Sequence, residues 1–228
     1  RPFNNEVRGL PNNYKDLPIV LLGTVNFAKW GQKKNLPGVW WNDNFNFEIQ
    51  KNFYKDEMLN FDSEIHLFGD IPKYEGERFI RPVDDGKAFS GEIVSYNRLS
   101  AWQDSILYLN SKQLKPTTKV QLASVKSIFR EYRLFMVNGR YVAGSMYFED
   151  NKYIRKRMSL NMIESTDDFI VEYAEDMANI WMPDKVFVMD IALLNDGTMK
   201  IIEINNANAS GLYESDVSSF IHAVNLIL

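Results

Sequence analysis

The 228-residue chain contains no cysteine and only two histidines, His66 and His222. The absence of cysteine excludes disulfide bonds, cysteine zinc sites and thiol nucleophiles. Two histidines are too few for a multi-histidine metal site, and they make a Ser-His-Asp triad improbable. Any chemistry must therefore rest on carboxylates, lysine, arginine, amides and metals that prefer oxygen ligands.

The chain also lacks long apolar runs and an excess of positive charge. No uninterrupted apolar run approaches the roughly 20 residues of a membrane helix, and no signal-peptide pattern opens the sequence. Its 26 basic and 30 acidic residues give a net charge of −4, whereas proteins that bind duplex nucleic acid usually carry a basic face. We therefore expect a cytoplasmic protein with no nucleic-acid or membrane partner. The densest basic run, Arg155-Lys156-Arg157 after Lys152, is expected to be a solvated face or loop.

The sequence is 45% hydrophobic and 14% aromatic, which is enough to build a sizeable core. Helical and strand-like patterns alternate without a regular βαβ series, and two hairpins stand out, so we expect an α+β fold. Helices are predicted over residues 24–34, 47–59, 98–109, 167–182 and 214–228. Single strands are predicted over residues 17–23, 65–68, 79–82 and 120–125.

The segment VFVMDIALLN-DG-TMKIIEIN predicts a β-hairpin with Asp196-Gly197 as its two-residue turn. This turn pairs Asn195 with Thr198. Counting outward from the turn places Asp190 directly opposite Glu203 on the neighbouring strand. The hairpin therefore brings two carboxylates to one place among apolar neighbours.

Asn205 shares the face of Asp190 and Glu203, because side chains alternate along a strand. Two facing carboxylates raise one pKa or recruit a cation. Carboxylate and amide oxygens together suit Mg²⁺, so these three residues are candidate metal ligands. The alternative is an acidic face that is satisfied by water, lysine or arginine.

The segment from Arg81 to Gly91, RPVDDGKAFSG, predicts a strand end followed by a loop that contains Lys87. Small residues such as Gly86 and Ser90 let backbone N–H groups approach an anion, and the two cations supply charge. The segment is a candidate phosphate-covering loop, although it is not a Walker A loop, because GxxxxGK[ST] is absent. The alternative is a surface turn with two solvated cations.

The segment EYRLFMV-NG-RYVAGSMY predicts a second hairpin, with Asn138-Gly139 as a turn in which both residues need positive φ. This turn places Arg133 opposite Gly144, which would leave room for the guanidinium to lie across the sheet. Glu131 shares its face. Arg133 either forms an ion pair with Glu131, worth at most about 1 kcal/mol if exposed, or faces a phosphate.

The order of a basic loop, an arginine hairpin, a helix and an acidic hairpin that ends in Glu203-Ile204-Asn205 resembles the ATP-grasp superfamily of carboxylate–amine ligases. The resemblance runs from about Phe79 to the C-terminus. FIRPVDDGKAFSG, REYRLFMVNGRYVAGSMY and EINNANASGLYESD are more closely similar to a phage- and bacteria-associated clade of predicted peptide or amino-acid ligases.

The resemblance implies an ATP-grasp fold, in which two lobes with mainly antiparallel sheets hold ATP between them. GTVNFA and PGVWWND resemble the small α/β lobe that precedes this domain in the clade. The expected division is a small N-terminal lobe at 1–75 and an ATP-grasp domain at 76–228, with its first lobe at 76–125 and its second at 126–228.

The resemblance also implies ATP and Mg²⁺, with Mn²⁺ as a substitute, and it implies roles for single residues. Arg81 would touch the α- or β-phosphate, Lys87 would lie over the phosphates, and Arg133 would approach the γ-phosphate or an acyl-phosphate. The remaining implied roles are adenine binding through the backbone by Gln121, Leu122, Ala123 and Ser124, metal binding by Asp190, Glu203 and Asn205, ribose binding by Glu131, and binding of the second substrate by Asn208, Ser210 and Gly211.

The implied reaction converts a carboxylate of a small molecule or peptide into an acyl-phosphate, which an amine then attacks. Arg133 and Lys87 would be its catalytic residues. The lysine nucleophile of nucleotidyl-transferring ligases, in KxDG, is absent, because Ala-Phe-Ser follows Lys87. The alternatives are a non-catalytic nucleotide-binding module and a kinase-like phosphotransferase on the same fold.

Overall fold

The computed structural model describes residues 20–83, 88–110, 113–158 and 166–228. The chain divides into two compact units, a larger one formed by Arg1–Phe45 with Ile128–Leu228 and a smaller one formed by Asn46–Ser127. Among the residues described, no helix is both long enough and apolar enough to span a bilayer.

Five helices and nine strands are described, in an α+β arrangement. The helices are α1 (Val25–Lys33), α2 (Phe47–Tyr54), α3 (Leu99–Leu109), α4 (Thr166–Ile180) and α5 (Val217–Asn225). The strands are β1 (Glu64–Leu67), β2 (Glu77–Pro82), β3 (Glu92–Ser95), β4 (Lys119–Ser124), β5 (Ile128–Val137), β6 (Arg140–Glu149), β7 (Lys152–Arg157), β8 (Val186–Leu194) and β9 (Met199–Asn205).

The smaller unit contains a four-stranded antiparallel sheet, the smaller sheet, in the order β1-β4-β2-β3. Alternation along β2 and β4 sends Ile80, Val120 and Leu122 to one face, where they join a buried cluster with Leu99 and Ile106 of α3. The opposite face of the same two strands therefore carries the alternate residues, among them Arg81 and Gln121.

The larger unit contains a five-stranded antiparallel sheet, the larger sheet, in the order β7-β6-β5-β8-β9. Phe135 of β5 and Val188 of β8 are directly paired, and they pack with Phe220 and Val224 of α5. Arg133 and Asp190 lie two residues further along the same strands and project from the same face. Helix α5 thus covers one part of this face, next to the predicted site residues.

Most predicted elements are present, with differences at their ends. Thr24 caps α1 by accepting a hydrogen bond from the Phe27 N–H at 3.3 Å, as predicted. The helix predicted over 47–59 ends at Tyr54, because Lys55 takes a φ of +50° and a short 3₁₀ turn follows. Strands β3 and β7 were not predicted.

Three predictions fall wholly or partly outside the described residues. Of the strand predicted over 17–23, residues 17–19 are outside, and Val20 contributes only an isolated bridge to Gly38. The turn predicted at 84–86 lies outside as well. Thr166 is the first residue of α4, and the other predicted cap, Ser165, is outside the described residues.

The β5–β6 hairpin has the predicted turn but a different register. Asn138 and Gly139 both have positive φ, +49° and +76°. A bulge between Phe135 and Met136 shifts the pairing by one residue, so Arg133 faces Ser145 and not Gly144. The predicted Arg133–Gly144 pair is wrong for this reason.

The β8–β9 hairpin has the predicted pair of carboxylates but not the predicted turn. Leu194 and Thr198 close a three-residue loop, with φ of +86° at Gly197, so the predicted Asn195–Thr198 pair is wrong. A bulge next to Asp190 then shifts the register back by one residue. Because the two shifts cancel, Asp190 lies directly opposite Glu203 and that prediction is confirmed.

The two compact units and the predicted domain boundaries are different divisions of the chain. Strand β1 belongs to the predicted N-terminal lobe at 1–75, yet it pairs with β4 in the smaller sheet. The predicted boundaries at 75/76 and 125/126 remain a prediction.

Candidate active site

Arg133 and Asp190 form a buried bidentate ion pair across β5 and β8. Nε of Arg133 lies 2.9 Å from Oδ1 of Asp190, and Nη2 lies 2.6 Å from Oδ2. The two residues are 7% and 2% exposed. Burial alone would lower the pKa of Arg133, but the charge of Asp190 and its hydrogen bonds raise it above the ordinary value. The guanidinium is therefore permanently charged, and it pairs with Asp190 and not with Glu131.

Glu203 and Asn205 complete the cluster from β9. Glu203 is the cross-strand partner of Asp190, and Nδ2 of Asn205 donates to Oε1 of Glu203 at 2.6 Å and to Oδ2 of Asp190 at 3.4 Å. All three residues share one face, as predicted. Arg133 offsets one of the two facing carboxylate charges, which sequence reasoning had left as an alternative to a metal.

The donor set fits Mg²⁺ better than a metal that needs a full protein cage. Within the described ranges, no group of three or more His, Asp or Glu side chains is arranged to hold a metal ion. Mg²⁺ keeps several waters and is usually held by one or two carboxylates together with substrate phosphates. The carboxylates of Asp190 and Glu203 and the amide of Asn205 match that chemistry.

Two tyrosines flank Arg133, and sequence reasoning missed both. The Arg133 guanidinium lies 5.0 Å from the ring centroid of Tyr213 and 5.8 Å from that of Tyr147, and the two rings are stacked 5.1 Å apart. Tyr213 adopts a φ of +47°, which costs a non-glycine residue roughly 1–2 kcal/mol. Nη1 of Arg133 also donates to the Gly211 carbonyl at 3.3 Å. These contacts fix the loop after β9 against the ion pair.

Glu131 lies two residues before Arg133, on the same face of β5. Burial raises the pKa of its carboxyl, the charges of Asp190 and Glu203 raise it further, and a hydrogen bond from Tyr147 opposes the shift. Its proton is therefore retained to a higher pH than that of an ordinary glutamate. The predicted ribose role of Glu131 remains a prediction.

The predicted second-substrate loop is braced by Asn208. Its Oδ1 accepts from the Trp40 N–H at 2.9 Å, and its Nδ2 donates to the carbonyls of Leu21 and Gly38 at 2.7 and 2.8 Å. The side chain is 1% exposed, so these internal bonds account for it, and a substrate contact would require them to break. Ser210, which is half-buried and donates to the Asn206 carbonyl, and the exposed Gly211 are better placed for a substrate.

On the smaller sheet, Arg81 and Gln121 are direct partners across β2 and β4. Gln121 is 1% exposed, and neither its Oε1 nor its Nε2 has a hydrogen-bond partner. A buried amide without partners costs free energy unless a ligand or water satisfies it. This face of the sheet therefore offers a cation and a vacant donor–acceptor pair, which fit a nucleotide.

The other predicted adenine residues do not share this face. Leu122 and Ser124 project to the opposite face and line a cavity of about 300 Å³ with Arg78 and Glu64. The backbone of 121–122 is paired with both β1 and β2, which leaves little main-chain hydrogen-bonding capacity for adenine. Ala123 pairs with Phe79. Lys87 lies outside the described residues.

Two antiparallel sheets, one with a cation before a proline and the other with an aspartate facing Glu-x-Asn, are the features of an ATP-grasp domain. More specifically, the chain belongs to an ATP-grasp domain family, the second family of its clade, whose model matches residues 64–223. No curated protein sequence matches the chain.

Solved structures of ligases share the fold. D-alanine–D-alanine ligase from Bacillus anthracis matches with a TM-score of 0.57 at 13% identity, over 95% of this chain and 80% of that chain. The D-cycloserine synthetase DcsG matches with a TM-score of 0.53 at 12% identity, over 97% and 86%. The ATP-grasp ligase PsnB, complexed with minimal precursor, Mg and ADP, matches with a TM-score of 0.53 at 13% identity, over 88% and 66%.

The chain thus spans just under two thirds of that PsnB chain and more of the other two. The predicted superfamily and the α+β, ATP-grasp fold are confirmed. The prediction of an ATP-grasp ligase is confirmed at the level of the family, and each of the three structures is a ligase or synthetase.

Proposed function

We propose that the chain is an ATP- and Mg²⁺-dependent ligase that activates a carboxylate as an acyl-phosphate and joins it to an amine. The observation that carries the proposal is the alignment of Arg133, Asp190 and Glu203 on three adjacent strands, with Asn205 beside them. Membership of the ATP-grasp family supports it. A cytoplasmic location and a link to phage remain predictions.

In this proposal the residues of the larger sheet bind charge and orient it. Asp190, Glu203 and Asn205 hold Mg²⁺, which when bound supplies positive charge beside the transferring phosphoryl group. Arg133, kept charged and fixed by Asp190, faces the γ-phosphate or the acyl-phosphate. The mechanism needs no protein nucleophile, because the substrate carboxylate and then the amine perform both attacks.

The smaller sheet and its following loop supply the nucleotide contacts. We assign the α- or β-phosphate to Arg81 and the cover over the phosphates to Lys87. We assign the base to the side-chain amide of Gln121, in place of the strand backbone that the sequence favoured. A donor and an acceptor on one planar group suit the edge of a purine.

We further propose that the carboxylate and the amine belong to amino acids or peptides. The names of the similar structures support this class, since one is a ligase of two D-alanines and another was solved with a precursor. The loop residues Ser210 and Gly211 are the chosen substrate contacts. Asn208 acts as the brace of that loop.

The test is mass spectrometry of the products after incubation with ATP, Mg²⁺ and a panel of amino acids and peptides. We expect an amide product with ADP and phosphate, lost in Glu203→Gln and retained in Glu172→Gln, the same change on the exposed face of α4. A phosphorylated substrate without an amide would favour the kinase-like alternative. ATP binding without any turnover would favour a binding module, and AMP with diphosphate would contradict the proposed chemistry.

A further inference from the structure

Five residues form one row across all five strands of the larger sheet. Arg157 of β7 pairs with Ser145 of β6, and Ser145 pairs with Arg133 of β5. Arg133 pairs with Asp190, and Asp190 pairs with Glu203. Directly paired residues project from the same side of a sheet. Strand β7 is therefore the edge of the face that carries the candidate site, and Arg157 lies roughly 14 Å from Asp190 at the usual strand spacing.

Strand β7 is strongly cationic in a chain whose net charge is −4. Four of its six residues are cations, namely Lys152, Arg155, Lys156 and Arg157, and all four are exposed. Arg157 donates to the Glu214 carbonyl at 3.1 Å and lies 3.7 Å from Asp216. Across the described residues, the ion pairs include none of the other three. Strand β7 thus presents uncompensated positive charge to solvent.

The outer edge of β7 pairs with no other strand within the described part of the chain. An unpaired edge offers a row of backbone N–H and C=O groups to an added strand. The lysines and arginines repel a second copy of the same edge, whereas they attract a strand of opposite charge. Tyr153 is 87% exposed and rests edge-on against Phe148, so it adds an aromatic contact surface.

The end of β7 is connected to the candidate site. Arg157 contacts Glu214 and Asp216, which belong to the same loop as Gly211 and Tyr213. Gly211 and Tyr213 in turn contact Arg133. A peptide along β7 would therefore end beside the loop that we assign to the second substrate.

We propose that the outer edge of β7 binds an extended acidic peptide segment as an added strand and holds it beside the candidate site. That this peptide is a substrate rests on the proposed ligase function; the binding itself does not. The cations of β7 select acidic side chains, and the edge backbone selects the extended conformation.

The test is fluorescence anisotropy with a labelled octapeptide of alternating Glu and Val, in the absence of ATP. Comparison peptides alternate Lys with Val, or Glu with Pro, which keeps the charge but removes half of the backbone N–H donors. We expect the Glu-Val peptide to bind roughly tenfold or more tightly than either comparison peptide. Arg155→Glu combined with Lys156→Glu should lose that binding.

The matched control is Lys33→Glu with Lys34→Glu, which makes the same charge change at exposed positions at the end of α1. It should retain peptide binding, and the Tm of each variant checks its folding. Equal binding of the Glu-Val and Glu-Pro peptides, or tighter binding of a single-stranded oligonucleotide of the same charge, would overturn the proposal. If the Glu-Val peptide binds while no ligation product is ever detected, the proposed function fails and this inference stands.

Discussion

At the residue scale, Arg133 determines how two facing carboxylates coexist in the larger sheet. Its guanidinium pairs with both oxygens of Asp190, while Glu203 is hydrogen-bonded by Asn205. The repulsion that the sequence predicted between Asp190 and Glu203 is therefore partly offset without a metal. The ion pair also orients Asp190, because a bidentate contact fixes the plane of a carboxylate.

Asp190→Asn should destabilise the protein strongly, because it leaves the Arg133 guanidinium buried without its counter-charge. Removing one partner of a buried ion pair typically costs about 3–5 kcal/mol. Urea unfolding measures the change in the free energy of unfolding. Asp176→Asn, the same substitution at an exposed position of α4, should change it by less than about 0.5 kcal/mol. Equal effects of the two substitutions would show that the ion pair is not formed.

Glu131→Gln should change how stability depends on pH. Burial raises the pKa of Glu131 in the folded protein above its ordinary value of 4.5. As pH rises above 4.5, the unfolded chain loses this proton first, so the wild type loses stability until the folded-state pKa is passed. The glutamine variant has no such loss. We therefore expect its stability relative to wild type to increase across that window and then to level off.

Unfolding free energies of wild type and Glu131→Gln, measured from acidic to neutral pH, check this sign. A relative stability that stays constant with pH would mean that the pKa of Glu131 is the same in both states. A relative stability that falls as pH rises would mean that the folded protein favours the charged form.

At the element scale, the two hairpins show which part of a register is readable from sequence. Asn138-Gly139 specifies its turn, since both residues adopt positive φ. The bulges do not follow from any residue type. Each depends on how the strands pack within the five-stranded sheet. The Asp190–Glu203 pair was predicted correctly only because the longer loop and the bulge cancel.

Gly197→Ala should destabilise the β8–β9 hairpin through backbone conformation alone. Gly197 has a φ of +86°, and nothing lies within 4 Å of a Cβ placed there, so no steric clash contributes. The expected loss is about 1–2 kcal/mol, measured by urea unfolding. Gly197→Asn is the matched control, because asparagine tolerates positive φ, and it should lose less. Equal losses would mean that the loop can take another conformation.

At the scale of the whole molecule, local patterns predicted most helices, both hairpins and the family. They could not predict contacts between distant segments, because no local rule relates the partners. Asn208 bonding to Trp40, 168 residues away, is one such contact, and the stacking of Tyr147 on Tyr213 beside Arg133 is another. The same limit explains why Asn208 was read as a substrate residue.

ATP should protect the folded protein from thermal unfolding much more with Mg²⁺ than with EDTA. Ligand at about 100 times its Kd adds roughly 2.7 kcal/mol of stability, which a thermal melt resolves readily. Glu203→Gln should lose the Mg²⁺-dependent part of the shift, and Glu172→Gln should keep it. Equal Tm shifts with and without metal would remove the reason to place a cation at Asp190 and Glu203.

The most direct test of the ligase proposal is the fate of an oxygen atom of the substrate carboxylate. The carboxylate that supports ADP formation in the panel is labelled with oxygen-18, and the released phosphate is analysed by mass spectrometry. Formation and aminolysis of an acyl-phosphate transfers one labelled oxygen to phosphate, and we expect that transfer in the wild type. Phosphate that is free of label, alongside an amide product, would contradict activation through an acyl-phosphate.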